Sequence, residues 1–140
     1  MNKYTDDELD REVSYLMLRH RGRAQAINRW DMVEYLFGVG TSYPRNDNNY
    51  ADRRIRESIE RLRQRMLICD MGDGNGRYLA ANYAEYVEFR ARYVSRAYPI
   101  MQTASAMDAV AREAFTAEYI EHQREKLQPS LFGALAGGPQ

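Results

Sequence analysis

Apolar residues recur at helical spacing in the first part of the chain. Thr5 and Glu8 form a capping box, and the segment behind it predicts a helix over residues 6–20. Its apolar stripe consists of Leu9, Val13, Leu16 and Met17. Asn28 is the predicted N-cap of a second helix, residues 29–37, in which Trp30, Val33 and Phe37 share one face.

A third helix is predicted from Asn48 or Asn49 to about residue 66, after a loop of glycine and polar residues over 38–48. Its apolar face contains Ile55, Ile59, Leu62 and Met66. The short segment 24–27 has two interpretations, a brief strand or the approach to the second helix.

After the third helix, the spacing of apolar residues changes from that of a helix to that of a β-strand. Residues 67–71 and 77–80 flank the glycine-rich stretch 72–76, which predicts a β-hairpin with a tight tip. The chain is therefore expected to be mainly α-helical with one small hairpin.

Beyond the hairpin, Asn82 and Glu85 form another capping box, and residues 83–126 have a helical pattern. Pro99 interrupts it, so this stretch is either one kinked helix or two helices, 83–97 and 100–126. We expect residues 127–140, which lack charge and contain glycines and prolines, to form a flexible tail.

One face of 83–126 has a seven-residue repeat. Its larger positions are Tyr86, Tyr93, Ile100 and Met107, continued by Ala114, and Ala97, Ala104 and Ala111 accompany them. Such a stripe allows two helices to approach closely, either in a homodimer or by packing against the first helix of the same chain.

Composition narrows the possible functions. The chain has 140 residues with formal net charge zero, but positive charge is concentrated in residues 19–30 and 45–68. Arginine far outnumbers lysine among the 20 cations, and its planar guanidinium suits phosphate and guanine. A GC-rich coding sequence would produce the same excess of arginine.

Several classes are not favoured by the sequence. One cysteine and two histidines provide neither a disulfide framework nor a closed zinc site. No apolar stretch is long enough to span a bilayer, and the amino terminus lacks a secretory signal. With no catalytic triad or acidic metal cluster visible, we expect a cytoplasmic protein without enzymatic activity, cofactor, metal or membrane partner.

The run Asp52–Arg63, followed by Leu67-Ile68 and by Gly76–Ala80, resembles the recognition helix and wing of small winged helix-turn-helix DNA-binding proteins of phage and bacterial type. The resemblance covers about residues 6–82. It implies a winged-helix domain over 1–82, followed by a long C-terminal helical extension over 83–126. The loop of about 11 residues between the second and third helices is longer than a strict helix-turn-helix uses.

The resemblance also implies which residues contact double-stranded DNA. The base-reading candidates on the third helix are Asn49, Arg53 and Arg56. The candidates for holding phosphates are Arg45, Arg54, Asn75 and Arg77, together with Arg21, Arg23 and Arg29 near the start of the second helix.

Two other interpretations of these residues remain open. The third helix is a solvated face if Arg53–Glu57 and Arg56–Glu60 pairs occupy its arginines. Alternatively, the domain is a protein-interaction module that binds a host replication or transcription enzyme. Replication and transcription control both remain possible for a DNA-binding chain.

The tail contains a second resemblance. Gln128-Pro129-Ser130-Leu131-Phe132 is similar to the pentapeptide that binds the bacterial sliding clamp, with proline in place of the usual leucine. The resemblance implies that Gln128, Ser130, Leu131 and Phe132 contact the clamp; the alternative is an inert tail.

Overall fold

The computed structural model describes residues 3–74 and 76–136, with side chains described as far as Leu127. It is mainly helical with one small antiparallel sheet. The elements are α1 (Asp6–Leu18), β1 (Ile27–Asn28), α2 (Arg29–Phe37), α3 (Tyr50–Leu62), β2 (Ile68–Asp70), β3 (Gly76–Leu79), α4 (Tyr83–Ser95), α5 (Tyr98–Ala114) and α6 (Thr116–Ala136). The chain divides into two compact units, Met1–Val94 and Ser95–Gln140.

The first unit is built around the apolar faces of α1, α2 and α3. The predicted stripe of α1 is buried in full, as is the face of α3 through Leu62. In α2 the buried residues are Met32, Val33 and Leu36, whereas Trp30 and Phe37 are only partly covered. These three helices therefore share one core, to which Ile68 and Leu79 of the sheet also contribute.

Side-chain caps fix where the helices begin. Thr5 accepts a hydrogen bond from the backbone N–H of Glu8, and Asn28 accepts one from Trp30. These caps confirm the predicted starts of α1 and α2. At its other end α3 stops at Leu62, earlier than predicted, and residues 63–66 continue as turns and a bend.

The sheet has the order β1-β3-β2, with both pairings antiparallel. Of the segment 24–27, only Ile27 belongs to a strand, Ile27–Asn28, whereas Arg23–Gln25 form a single turn of 3-10 helix. Between β2 and β3, Gly72 and Gly74 have φ values of +82° and +80°. This left-handed conformation, which side chains disfavour, forms the predicted glycine-rich turn.

Helix α4 packs on the sheet. Its Phe89 is buried in a small cluster with Cys69, Tyr78 and Ala80. The sequence placed the domain boundary after residue 82, but this packing keeps α4 in the first unit, which ends at Val94.

The second unit contains α5 and α6. Near Pro99 the chain forms two separate helices, α4 and α5, and not one kinked helix. Pro99 lies in the first turn of α5, where its missing N–H removes no helical hydrogen bond. A further interruption, which the sequence did not predict, occurs at Phe115 (φ −128°, ψ 47°). The backbone then continues as α6 to Ala136, so residues 127–136 are helical rather than an extended flexible tail.

A hydrogen-bonded ion pair joins α1 to α3 in the first unit. Arg61 donates to Asp10 from Nε at 2.9 Å and from Nη2 at 2.8 Å, and the buried Ser58 hydroxyl donates at 2.6 Å. Burial alone would raise the pKa of Asp10, but these hydrogen bonds and the charge of Arg61 outweigh it and lower that pKa.

Asp10→Asn should reduce the free energy of unfolding at neutral pH by about 1–2 kcal/mol, because the charge-assisted bonds are lost. The pKa of Asp10 is lower in the folded protein than in the unfolded chain, where it is near 3.8. The ionised carboxylate therefore stabilises the fold fully at pH values above the pKa of the unfolded chain. The difference between wild type and variant should therefore shrink as the pH falls below about 4, in urea unfolding at several pH values. The exposed Asp7→Asn should cost less than about 0.5 kcal/mol; equal losses for both variants would contradict the role of Asp10.

Candidate nucleic-acid interface

The exposed face of α3 carries charges of both signs. Arg53 is exposed, and its side chain makes no hydrogen bond or ion pair with the described residues. Glu57 and Glu60 follow on the same face, and Glu60 accepts a 2.7 Å bond from Arg63. Neither of the expected pairs Arg53–Glu57 and Arg56–Glu60 is present within the described part of the chain.

Asn49 does not point to solvent. It is only 4% exposed and caps α3 by accepting a hydrogen bond from the backbone N–H of Asp52. Its Nδ2 donates to the carbonyl oxygens of Thr41 and Pro44, at 2.9 and 3.1 Å. The prediction that Asn49 reads adenine is therefore wrong, because its amide already joins the helix to the preceding loop.

A buried carboxylate lies at the centre of the arginine cluster. Asp52 is fully buried and accepts two bonds from Arg29, at 3.2 and 2.7 Å, and one from Arg56 Nε at 3.0 Å. Asp47 adds a side-chain contact to Arg29 and a backbone contact to Arg56. Burial disfavours the charge on Arg29, but the bonds to Asp52 and Asp47 outweigh it and raise the pKa.

Arg29 is consequently a structural residue rather than the predicted phosphate ligand. Its side chain is 15% exposed, and its guanidinium stacks over Trp30 at 4.3 Å. Arg56 is 41% exposed, so one edge faces solvent while the other is held by Asp52. The predicted base-reading role of Arg56 is thus limited to that outer edge.

Two further predicted phosphate ligands bind other parts of the first unit. Arg54, 11% exposed, donates to the carbonyl oxygen of Tyr4 and to Asp6, which anchors the segment preceding α1. Arg23 pairs with Glu88 of α4 at 2.6 Å. Arg54 is therefore a structural residue rather than the predicted phosphate ligand. The side chain of Arg23 is 44% exposed, so its predicted phosphate contact stays a prediction.

The environment of Arg77 also differs from that of the predicted phosphate ligand. It lies on β3, is partly buried, and its Nη1 lies 3.5 Å from the sulfur of Met32. Burial lowers the pKa of this guanidinium to about 10, although the nearby charge of Asp52 partly compensates. Arg77 on β3 therefore contacts Met32 of α2 instead of being the free phosphate ligand that the wing resemblance implied. Asn75 lies outside the described residues.

Three further arginines of the predicted set present their charge to solvent. Arg53 lies one turn into α3, and Arg45, in the loop just before it, stacks over Tyr43 at 4.7 Å and lies 3.9 Å from Glu34. Arg21 is exposed and forms an isolated β-bridge with Leu79 of β3. Arg45 thus lies in the loop before α3, Arg53 and Arg56 lie in the first two turns of α3, and Arg21 lies next to β3.

The clamp-like pentapeptide remains a prediction. The backbone of residues 128–132 belongs to α6, and the side chains of Gln128, Ser130, Leu131 and Phe132 lie outside the described residues. Binding in an extended form would require this part of α6 to unwind.

The comparisons with known proteins match no family model, no curated protein and no solved structure. Within the described residues, no cluster of histidine, cysteine and acidic side chains has the arrangement of a metal site. None of the described helices has the length and apolar character required to cross a membrane.

Asp52→Asn should lower the free energy of unfolding by about 2–4 kcal/mol, because it leaves the largely buried Arg29 with only the exposed Asp47 as a carboxylate partner. Asp47→Asn provides a matched control, since Asp47 contacts the same arginine but is 86% exposed. Its cost should remain below about 0.5 kcal/mol in the same urea titration. If the two variants unfolded at the same urea concentration, the buried carboxylate would not be the stabilising partner.

Proposed function

We propose that this chain is a winged-helix protein that binds double-stranded DNA through the amino end of α3. The supporting observation is the topology. Helix α1, strand β1, helices α2 and α3, and then the hairpin β2–β3 follow one another, with the sheet order β1-β3-β2. This arrangement is typical of winged-helix domains, in which the third helix enters the major groove and the hairpin lies beside it.

The exposed arginines support a specific set of contacts for this proposal. Arg53 lies in the amino-terminal half of α3, from which recognition helices contact base edges, and its guanidinium has no competing partner within the described residues. Arg45 and the outer edge of Arg56 flank it and hold phosphates, as does Arg21 beside the sheet. Asp52 keeps Arg56 in a fixed orientation, so less side-chain entropy is lost when DNA binds.

The affinity for DNA should depend on salt concentration less steeply than it does for proteins that make many phosphate contacts. About three or four phosphate contacts per protomer give a slope near −3 in a plot of log K against log salt concentration. Fluorescence anisotropy of a labelled random duplex between about 50 and 200 mM salt measures this slope.

A protein-interaction module is the second candidate, and one observation favours it. Four of the eight arginines predicted to bind DNA donate hydrogen bonds to acids of the same chain: Arg23, Arg29, Arg54 and Arg56. The exposed face of α3 also includes Glu57 and Glu60. A chain that shows no salt-dependent association with duplex DNA would support this candidate over the first.

Arg53→Ala should weaken binding to a selected site by about 1–3 kcal/mol and relax its preference at one base pair. Arg65→Ala is the matched control, because Arg65 is an exposed arginine just beyond the carboxyl end of α3, away from the proposed contact. Selection from a random duplex library followed by anisotropy titration tests both variants. Equal losses for the two variants would show that general positive charge, rather than the amino end of α3, attracts DNA.

A further inference from the structure

Helix α5 exposes a broad apolar face in a region with little charge. The exposed fractions of Ile100, Met107 and Val110 are 72%, 66% and 68%. No charged residue occurs between Ala97 and Met107, and none of the residues of α5 is buried. An exposed helix of this kind is typical of an interface with another protein surface.

The positions on this face alternate in size. The spacing of four and three residues is that of a heptad repeat, in which one core position is always alanine: Ala97, Ala104 and Ala111. The other core position carries Ile100 and then Met107, and it ends with Ala114. Alanines and large side chains therefore follow one another along the same stripe.

This alternation selects an orientation for two identical helices. In a parallel pair each core position faces its own equivalent, so layers of small residues, with gaps, would alternate with layers of large ones. In an antiparallel pair Ile100 and Met107 each face an alanine, so the central layers have similar volumes, and only the two end layers pair Ala97 with Ala114. Close packing favours the antiparallel arrangement because it leaves fewer voids.

We propose that α5 pairs antiparallel with α5 of a second copy of this chain. Helix α5 has 17 residues and is about 25 Å long. When the two helices overlap along their whole length, Ile100 lies against Ala111 of the partner subunit. This register also places Met107 against Ala104 of the partner subunit. Each large side chain faces an alanine across a two-fold axis, so the helix is complementary to itself.

The positions that border the stripe are compatible with this pairing. Thr103 and Val110 lie along one edge, and Met101 and Asp108 lie along the other. In the antiparallel register Asp108 lies near Met101 of the partner subunit, and no like charges face each other. We infer a second copy of this chain and not an unrelated protein because α5 itself provides both the large side chains and the alanines that they face.

Sedimentation equilibrium at about 10–100 µM, a range set by ordinary interface affinities, tests the association without DNA. Wild type should sediment as a dimer, and Ala104→Glu as a monomer, because a carboxylate would face Met107 of the partner subunit. Ala109→Glu makes the same chemical change on the opposite face of α5 and should remain dimeric. A monomeric wild type, or equal effects of the two variants, would overturn the proposal; circular dichroism verifies that each variant is folded.

Cysteine cross-linking tests the orientation. In the antiparallel register Ala97 faces Ala114 of the partner subunit, whereas the two copies of Ala97 are about 25 Å apart, too far for a disulfide. Oxidation should therefore link Ala97→Cys to Ala114→Cys in a mixture and link neither variant alone. Cross-linking of Ala97→Cys with itself would instead demonstrate a parallel pair.

The native cysteine does not interfere with this experiment. Cys69 is fully buried, and burial raises the pKa of its thiol to about 11, so little reactive thiolate forms at neutral pH. Both tests are independent of nucleic acid, so the loss of dimerisation and the loss of DNA binding are separate results.

Discussion

The carboxylate of Asp52 connects the parts of the first unit that would face a ligand. It is fully buried on α3, yet it accepts hydrogen bonds from Arg29 at the start of α2 and from Arg56 one turn further along α3. Its own backbone N–H is capped by Asn49, which also holds the loop through Thr41 and Pro44. A buried carboxylate must be paired, so the relative positions of α2, the loop and α3 depend on this one group.

This constraint divides the arginines into two sets. Arginines that lie near an acid form ion pairs between parts of the fold. Arg29 joins α2 to α3, Arg54 holds the segment before α1, and Arg61 joins α3 to α1. The remaining ones project from the surface, where their charge is available. An arginine-rich segment is therefore poor evidence for nucleic-acid binding until its acids have been located, because the same guanidinium geometry suits a carboxylate and a phosphate.

Local features of the fold could be predicted from the sequence, and long-range pairing could not. The stripe beginning at Leu9 and the caps at Thr5 and Asn28 depend on residues a few positions apart, so periodicity and capping rules identify them. The acids that bind Arg54 and Arg61 lie 48 and 51 positions away in the chain. Glu57 offered Arg61 a partner at helical spacing, but Asp10, whose side chain is only 14% exposed, is the stronger partner because a partly buried carboxylate is less screened by water.

The mixed charge of α3 restricts how it can meet a duplex. Glu60 is neutralised by Arg63, which leaves Glu57 as the carboxylate on the exposed face nearest to Arg53. A helix lying lengthwise in the groove would bring Glu57 close to the phosphates, which repel it. Entry by the amino end places Arg53 and Arg45 first and keeps Glu57 one turn further out, and the positive end of the helix dipole favours the same approach. If α3 contacts DNA, the charge pattern therefore requires an end-on docking angle, and the long loop before α3 carries Arg45 to that end.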